Sequence, residues 1–397
     1  MNSAAETRVA ITHPWPEFAP DEVEAAARVL SSGKVNYWTG EECRHFETEF
    51  AAYVGTRHAV AMMNGTVTLE ALLRAIDLKP NDEVIVSPRS FMASASCVVT
   101  QGGVPVFADV DRHSGNLTAE TIEAVLTPRT RAIILVHLGG YPVEMDPIMA
   151  LAAKKGLYII EDCAQAHGAT YHGRPVGSIG HAGSFSFCQD KIMTTAGEGG
   201  MITLNDGEIW SKCWSLKDHG KSYDAVYNRP HPIGFRWLHE SFGSNWRMTE
   251  IQGAIGRIQL RKLDDWKALR ARNAAILNRR LRNLDILRIE EAPSYMEHAN
   301  YKWYGYLNLS AMKPDWTRER ILEEVVDLGV PFYSGSCSEI YLEKAFKDAG
   351  LGPKERLPIA KELGETSVMA LVHPTLTVAE MESAADVIAE VLRKATK

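Results

Sequence analysis

The chain has 397 residues, of which 45% are hydrophobic and 23% are charged, as in ordinary globular proteins built from two or three compact units. Its formal net charge of -7 offers no basic surface for nucleic acid or for an anionic membrane. No signal peptide, no bilayer-spanning apolar run and no CxxC pair among the six cysteines is apparent. We therefore expect a cytoplasmic protein with reduced thiols, no metal, and no nucleic-acid or membrane partner.

The first part of the chain is predicted to be an arm followed by two helices. Residues 1–20 form the arm, because Pro14, Pro16 and Pro20 discourage regular structure. The helices cover residues 21–30 and 42–53, and the loop between them carries Tyr37 and Trp38. This aromatic loop either forms the edge of a binding site or a dimer contact, or it simply packs against the protein interior.

Strands and helices then alternate. Strands are predicted over 58–63, 83–86, 104–110, 131–137, 157–160, 183–187 and 201–204, and helices over 67–76, 90–100, 118–126 and 147–155. This alternation predicts an α/β fold with a mostly parallel sheet flanked by helices on both faces. No GxGxxG follows the first strand and no GxxxxGK[ST] occurs, so the dinucleotide and nucleoside-triphosphate fingerprints are absent.

Two polar residues follow neighbouring strands of this predicted sheet. Lys191 stands in a turn just after strand 183–187, where a desolvated lysine becomes a nucleophile that can form a Schiff base with an aldehyde. Asp162 ends the apolar run that begins at Leu157. The alternatives are a surface lysine and a helix N-cap. Because strand carboxyl ends line the ligand crevice, the pair can meet across pyridoxal phosphate, which needs a lysine at its aldehyde and an acid at its pyridine nitrogen.

A candidate phosphate site lies at the start of the helix that follows the first strand. Gly65 and Thr66 lie at a strand-to-helix junction, where free backbone N–H groups bind anions, although plain helix capping is the alternative. Thr66 and Ser186 can add hydroxyl donors. Phe91, placed just inside the helix over 90–100, can lie flat on a cofactor ring or pack in the core.

The pattern changes after residue 207. Segment 214–245 is rich in histidine, arginine and aromatic residues without a clean period, which is typical of a functional segment or an interface. Helices are predicted over 250–261, 266–284, 317–328 and 377–395, and strands over 300–309 and 330–333. Thr377 and Glu380 are spaced as a capping box for the last helix. We predict a large domain over residues 21–255 and a smaller α+β domain over 256–397.

The sequence resembles the DegT-type sugar aminotransferases, a branch of the fold type I pyridoxal phosphate enzymes, over nearly its whole length. The resemblance is strongest at NGTVTLEAL, NDEVIVSPRSFMASA, VPVFADVD, IIEDCAQAHGA, SFSFCQDKIMTTAGEGGM and GSNWRMTEIQGAIGRIQL. It implies that Lys191 binds the cofactor and that Asp162 holds the pyridine nitrogen. It also implies that Gln165 lies beside the ring hydroxyl and that Phe91 stacks on the ring. The implied phosphate contacts are Gly65, Thr66 and Ser186.

The resemblance also implies an obligate homodimer with shared active sites. Asn245 matches a residue that the neighbouring subunit supplies to the phosphate. Arg247 meets either the donor carboxylate, a nucleotide diphosphate or an ion-pair partner at the interface. Further substrate-side candidates are Tyr37, Trp38, Tyr333 and His373.

Lys191 decides the implied reaction, since relatives with histidine at this position dehydrate sugars instead of aminating them. We expect ping-pong transamination from glutamate or glutamine to a keto-sugar, with Lys191 as acid and base. The acceptor is expected to be a nucleotide-linked 4-keto or 3-keto deoxyhexose in amino-sugar and polysaccharide biosynthesis. The alternatives are a keto-cyclitol aminotransferase of an aminoglycoside-type pathway, a non-enzymatic pyridoxal phosphate-binding regulator, and an oxidoreductase. Segment 330–346 departs from the family's His-Tyr-x-Pro-Leu-His pattern, which leaves the acceptor open.

Overall fold

The computed structural model describes residues 11–397, so the first ten residues of the predicted arm lie outside the described residues. The rest of the arm, up to residue 19, contains no helix or strand. The helices are α1 (Pro20–Ser32), α2 (Glu42–Val54), α3 (Gly65–Ala75), α4 (Ala93–Thr100), α5 (Ala119–Glu123), α6 (Met145–Lys155), α7 (Gly207–Leu216), α8 (Tyr223–Tyr227), α9 (Glu250–Leu281), α10 (Arg318–Asp327), α11 (Lys344–Ala349), α12 (Pro358–Thr366) and α13 (Val378–Ala395).

The strands divide among one large and two small sheets. They are β1 (His58–Met62), β2 (Glu83–Val86), β3 (Val104–Phe107), β4 (Thr130–Val136), β5 (Tyr158–Asp162), β6 (Thr170–Tyr171), β7 (Arg174–Pro175), β8 (Ala182–Ser186), β9 (Gly200–Leu204), β10 (Leu287–Arg288), β11 (Met296–Glu297), β12 (Trp303–Leu307), β13 (Phe332–Tyr333) and β14 (Ser367–Ala370).

The large sheet has the strand order β1-β9-β8-β5-β4-β2-β3. β3, β2, β4, β5 and β8 are parallel, whereas β9 runs antiparallel to both β1 and β8. Alternate residues of one strand belong to different cores: Val84 and Val86 pack with α3 and α4, and Ile85 packs with α6. Burial on both faces is typical of a parallel sheet flanked by helices, and the predicted fold class is confirmed.

A second core lies in the C-terminal part of the chain. The antiparallel sheet β10-β12-β14-β13 packs with α10, α13 and the last turns of α9. The first half of α9 instead packs against α1 and α2. One helix of 32 residues therefore connects the two cores. The division into domains at residues 255 and 256 falls inside this helix and stays a prediction.

The element boundaries differ from the predictions at two informative places. The fourth helix begins at Ala93, so Phe91 lies before the helix and not just inside it. The helices predicted over 250–261 and 266–284 are one continuous helix, because no glycine or proline interrupts the segment between them. The capping box at Thr377 and Glu380 is confirmed: the Thr377 hydroxyl accepts from the Glu380 N–H at 3.2 Å, and Glu380 accepts from the Thr377 N–H at 2.9 Å.

Within residues 11–397, every helix is too short or too polar to cross a bilayer.

We expect Gly183→Ala to destabilise the strand that leads to Lys191. A Cβ at residue 183 would lie 2.5 Å from the Thr203 hydroxyl and 2.6 Å from the Gly177 Cα, so backbone would have to move. Overpacking of this kind lowers the free energy of unfolding by about 1–3 kcal/mol or more. Urea unfolding measures the change. The control is Gly207→Ala at the start of α7, where a Cβ meets only the His58 ring at 3.8 Å and a change below about 0.5 kcal/mol is expected. Equal stability of the two variants would contradict this packing.

Candidate active site

A cavity of about 830 Å³ opens where β5 and β8 end and α3 begins. Seven of the residues predicted to contact a cofactor line it. They are Gly65, Thr66, Phe91, Asp162, Gln165, Ser186 and Lys191. The eighth, Asn245, does not line the cavity; it is exposed and pairs through its backbone with Asp218. The fold thus brings together residues that are more than 120 positions apart in the chain.

Asp162 presents a buried carboxylate to this cavity. It is the last residue of β5 and is only 6% exposed. Its Oδ2 accepts a hydrogen bond from the Ser94 hydroxyl at 2.7 Å, and its Oδ1 accepts from the Ala164 N–H at 3.2 Å. Burial raises the pKa of Asp162, whereas these hydrogen bonds and Lys191 oppose the rise. A carboxylate in this setting is stabilised by a cationic N–H group placed in the cavity.

The preceding residue, Glu161, points to the opposite face of the sheet and holds the backbone there. It accepts from the N–H groups of Gly177, Ile179 and Gly180 at 2.6–2.9 Å. Its Oε2 also accepts from His137 Nε2 at 3.0 Å, since His137 Nδ1 is itself an acceptor for a backbone N–H. Burial opposes the charge, but His137 and the backbone donors lower the pKa of Glu161. This carboxylate fixes the turn that leads into β8.

The N-terminal end of α3 and the end of β8 form a narrow cradle. A Cβ at Gly65 would lie 2.6 Å from the Ser186 Cβ, so only glycine permits this approach. The Asn64 side chain caps α3 by accepting from the Val67 N–H at 3.0 Å. Gly65 and Thr66 of the first turn and Ser186 all line the cavity, and their backbone N–H and hydroxyl groups suit an anion with several oxygen atoms.

Lys191 stands in the turn after β8, held through its backbone. Its N–H donates to the Cys188 carbonyl at 3.1 Å, and its carbonyl accepts from Trp15 Nε1 at 2.8 Å. The Lys191 ammonium lies 5.1 Å from the centre of the Tyr301 ring. Trp15 belongs to the arm, so the arm contacts the proposed reactive turn directly.

Two more residues predicted to contact the cofactor line the cavity with side-chain groups that can contact a ligand. Gln165 uses its Oε1 to accept from the Gly139 N–H at 2.7 Å, which leaves its side-chain NH₂ as a donor. Phe91 is 70% exposed at the cavity, which excludes the alternative that it packs in the core. A large apolar ring left this exposed is typical of a ligand-contact surface.

Sequence reasoning missed a cluster of three polar side chains in the wall of the cavity. Tyr301, Lys302 and Asp190 all line it. The Tyr301 hydroxyl donates to Asp190 Oδ2, and the Lys302 Nζ lies 3.8 Å from the same oxygen. Burial disfavours the charge of Asp190, but Lys191, Tyr301 and Lys302 hold its pKa below the usual value. The available signal was a lysine among Tyr301, Trp303 and Tyr304, inside the strand predicted over 300–309.

The substrate-side candidates divide into one that lines the cavity and four that do not. Tyr333 lines it, half exposed. Arg247 forms an ion pair with Asp218, the alternative that the sequence left open. His373 is buried beside Trp15, and burial lowers its pKa to about 3. Tyr37 and Trp38 lie elsewhere: Tyr37 is buried, donates to Glu47 at 3.2 Å and carries the Lys217 ammonium 4.0 Å above its ring.

The segment before Asn245 exposes several large apolar side chains. They are Ile233, Phe235, Trp237 and Phe242, each at least 75% exposed. Exposed apolar side chains concentrated in one segment are typical of a protein–protein contact.

The chain as a whole is similar to aminotransferases of one family. Residues 16–391 match the DegT/DnrJ/EryC1/StrS aminotransferase family. The X-ray structure of the aminotransferase from Psychrobacter cryohalolentis is 55% identical and superposes with a TM-score of 0.94, covering 96% of this chain and 99% of that chain. GDP-perosamine synthase of Caulobacter vibrioides is 36% identical over 351 residues, 87% of this chain and 89% of its own. L-glutamine:2-deoxy-scyllo-inosose aminotransferase of Streptoalloteichus tenebrarius is 38% identical over 283 residues, 70% of this chain and 66% of its own.

We expect Ser186→Ala to weaken binding of pyridoxal phosphate to the cofactor-free protein. Loss of one hydroxyl donor to a charged phosphate costs about 1.5–3 kcal/mol, or about 10–100-fold in the dissociation constant. Titration followed by quenching of tryptophan fluorescence measures it. Ser178→Ala is the matched control, because that half-buried hydroxyl donates to the Pro175 carbonyl at 2.6 Å outside the cavity. Equal affinity of the two variants would remove Ser186 from the phosphate site.

Proposed function

Because the chain belongs to the DegT/DnrJ/EryC1/StrS aminotransferase family, we propose that it transfers an amino group from glutamate or glutamine to a nucleotide-linked keto-sugar. It is an aminotransferase, and its cofactor is pyridoxal 5'-phosphate. The proposal rests above all on one observation: Lys191 and the buried Asp162 carboxylate line the same cavity.

The residues of the cavity fit this cofactor at each of its polar ends. The buried Asp162 carboxylate suits a protonated pyridine nitrogen, and the cradle at Gly65, in which a Cβ would clash with Ser186, suits a phosphate. The free NH₂ group of Gln165 suits the ring hydroxyl. When bound, pyridoxal phosphate supplies a carbonyl that takes up the amine and a ring that accepts an electron pair.

In this proposal Lys191 has two tasks. Its Nζ would hold the cofactor covalently through the carbonyl group, and once the donor amine has released it, the Nζ would take up and return the proton of the donor Cα. The Cys188 carbonyl and the Trp15 indole N–H hold the Lys191 backbone, so the Lys191 side chain moves from a fixed Cα.

Asp162 keeps the pyridine nitrogen protonated through the reaction. The negative charge of Asp162 would favour the protonated form of this nitrogen, and its burial strengthens the attraction because little water screens it. Ser94, which donates to Asp162 Oδ2 at 2.7 Å, orients the carboxylate toward the cavity. Phe91 is proposed to cover one face of the ring.

The nucleotide-linked sugar is the proposed acceptor because GDP-perosamine synthase, as its name states, makes a nucleotide-linked amino sugar. A cavity of about 830 Å³ has room for a sugar beside the cofactor, and Tyr333 and Tyr304 offer phenol rings and hydroxyls for it. A keto-cyclitol acceptor is the second candidate, supported by the similarity to the 2-deoxy-scyllo-inosose aminotransferase.

We further propose a cytoplasmic homodimer in which Asn245 reaches the phosphate site of the partner. Asn245 lies outside the cavity of its own chain and follows the exposed segment with Phe235 and Trp237. Burying these rings against a second copy would remove them from water. All six cysteines are free in the part of the chain that the structure describes, which fits a reducing compartment.

We expect the purified protein to show a visible absorption band from pyridoxal phosphate that glutamate or glutamine bleaches. Lys191→Ala should lose the band of the covalently bound form and all turnover, because its Nζ is both the attachment point and the proton carrier. The control is Lys154→Ala on the exposed end of α6, which should keep band and bleaching. A band that no amino donor alters would rule out the proposed reaction.

Shared sites can be tested by mixing two inactive variants. In a mixed dimer of Lys191→Ala and Asn245→Ala, one site would hold an intact Lys191 together with an intact Asn245 from the other chain. Random mixing should therefore recover about a quarter of the wild-type activity at limiting pyridoxal phosphate. If Asn245 serves its own chain, mixing recovers nothing.

A further inference from the structure

The cavity contains a second lysine that the proposed reaction does not yet use. The Lys302 side chain is 15% exposed and its ammonium lies 4.6 Å from the centre of the Tyr301 ring. The Lys191 ammonium lies 5.1 Å from the centre of that same ring. The Tyr301 ring therefore contacts two ammonium groups, that of Lys191, which the proposed reaction uses, and that of the mostly buried Lys302.

Positive charge exceeds negative charge around Lys302. The titratable and charged groups that face it are Asp190 and Lys191 from the turn after β8, Arg270 from α9, the neighbouring Tyr301, and His373. Among these groups the negative charge is that of Asp190, whose Oδ2 lies 3.8 Å from the Lys302 Nζ. His373 is neutral, because burial lowers its pKa to about 3. Arg270 is buried, and two of its guanidinium nitrogens have no hydrogen-bond partner among residues 11–397. Such a local excess is costly unless an anion binds beside Lys302.

We propose that Lys302 binds the α-carboxylate of the amino donor. This inference rests on the proposed function and names a contact of the same site. An anion bound by Lys302 would lie on the side of the cavity where Lys191 reacts, because both ammonium groups contact the Tyr301 ring. An α-carboxylate is bonded directly to the carbon that carries the amine, whereas the diphosphate of a nucleotide sugar is separated from a 3-keto or 4-keto carbon by much of the pyranose ring. The carboxylate therefore matches this position.

The contact makes donor binding depend on pH. Burial lowers the pKa of Lys302 to about 8, with Asp190 acting in the opposite direction and Arg270 and Lys191 adding to the decrease. Lys302 is thus charged below about pH 8 and neutral above it. Since the charged form binds the carboxylate, affinity for the donor should be full at pH 7 and should fall as the pH rises through about 8.

The test is the donor half-reaction, followed as bleaching of the cofactor band in wild type, Lys302→Met and Lys302→Arg, with glutamate and with glutamine. Lys302→Met should raise the apparent dissociation constant of both donors by about 10–100-fold while the limiting rate changes little. Lys302→Arg should restore most of the affinity. Because arginine stays charged, it should also keep at pH 9 the affinity that the wild type loses relative to pH 7.

The outcomes separate the alternatives. A loss confined to glutamate would assign Lys302 to the side-chain carboxylate and overturn the proposal. Weaker binding of UDP or GDP to Lys302→Met, with donor affinity unchanged, would assign it to the acceptor diphosphate and also overturn it. An identical decline in donor affinity between pH 7 and 9 in wild type and Lys302→Arg would exclude Lys302 as the titrating group. Failure of the proposed function looks different, because the wild type itself would then not be bleached.

Discussion

The site depends on a carboxylate that is buried at the carboxyl end of a central strand. A charged carboxylate is costly in an apolar sheet unless donors or a cation stabilise it. Glu161 and Asp162 are neighbours on β5 and point to opposite faces, because side chains alternate along a strand. Glu161 is satisfied by His137 and backbone N–H groups, so it stabilises the turn before β8. Among residues 11–397, Asp162 accepts only from Ser94 and one backbone N–H, so it can still accept from a ligand. The same strand end thus provides one structural and one reactive carboxylate.

The opposite wall of the cavity has the reverse electrostatic character. Two ammonium groups lie against the Tyr301 ring, and the buried Arg270 donates to the Tyr301 carbonyl. Burial lowers the pKa of Arg270 to about 9, because a charged group is costly away from water. A cofactor cation near Asp162 and a substrate anion near Lys302 would compensate the buried charge on each wall of the cavity. Charge complementarity would therefore orient the ligands, with the cofactor cation at the ends of β5 and β8 and the substrate anion near β12.

The two walls come from different parts of the chain, and their separation is set by packing. β5 and β8 belong to the large sheet, whereas Tyr301 and Lys302 immediately precede β12 of the second sheet. Helix α9 packs with both cores, and Arg270 on this helix donates to the Tyr301 carbonyl at 3.1 Å. The arm adds a contact through Trp15, which bonds to the Lys191 backbone and packs edge-on against Trp266 of α9. The position of Lys191 relative to Lys302 thus depends on elements far from both in sequence.

The sequence by itself determined the alternation of strands and helices, the family, and the residues on the strand-end side of the cavity. These features depend on local pattern: an apolar run that ends in Asp162, a glycine at the start of a helix, a lysine after a strand. It misplaced the start of α4 and split α9, since boundaries depend on packing more than on pattern. Only the tertiary structure placed Tyr301 and Lys302 opposite Lys191, paired Arg247 with Asp218 and buried His373 beside the arm. These contacts join residues far apart in the chain, and the charge of a buried lysine depends on groups that only the folded chain brings around it.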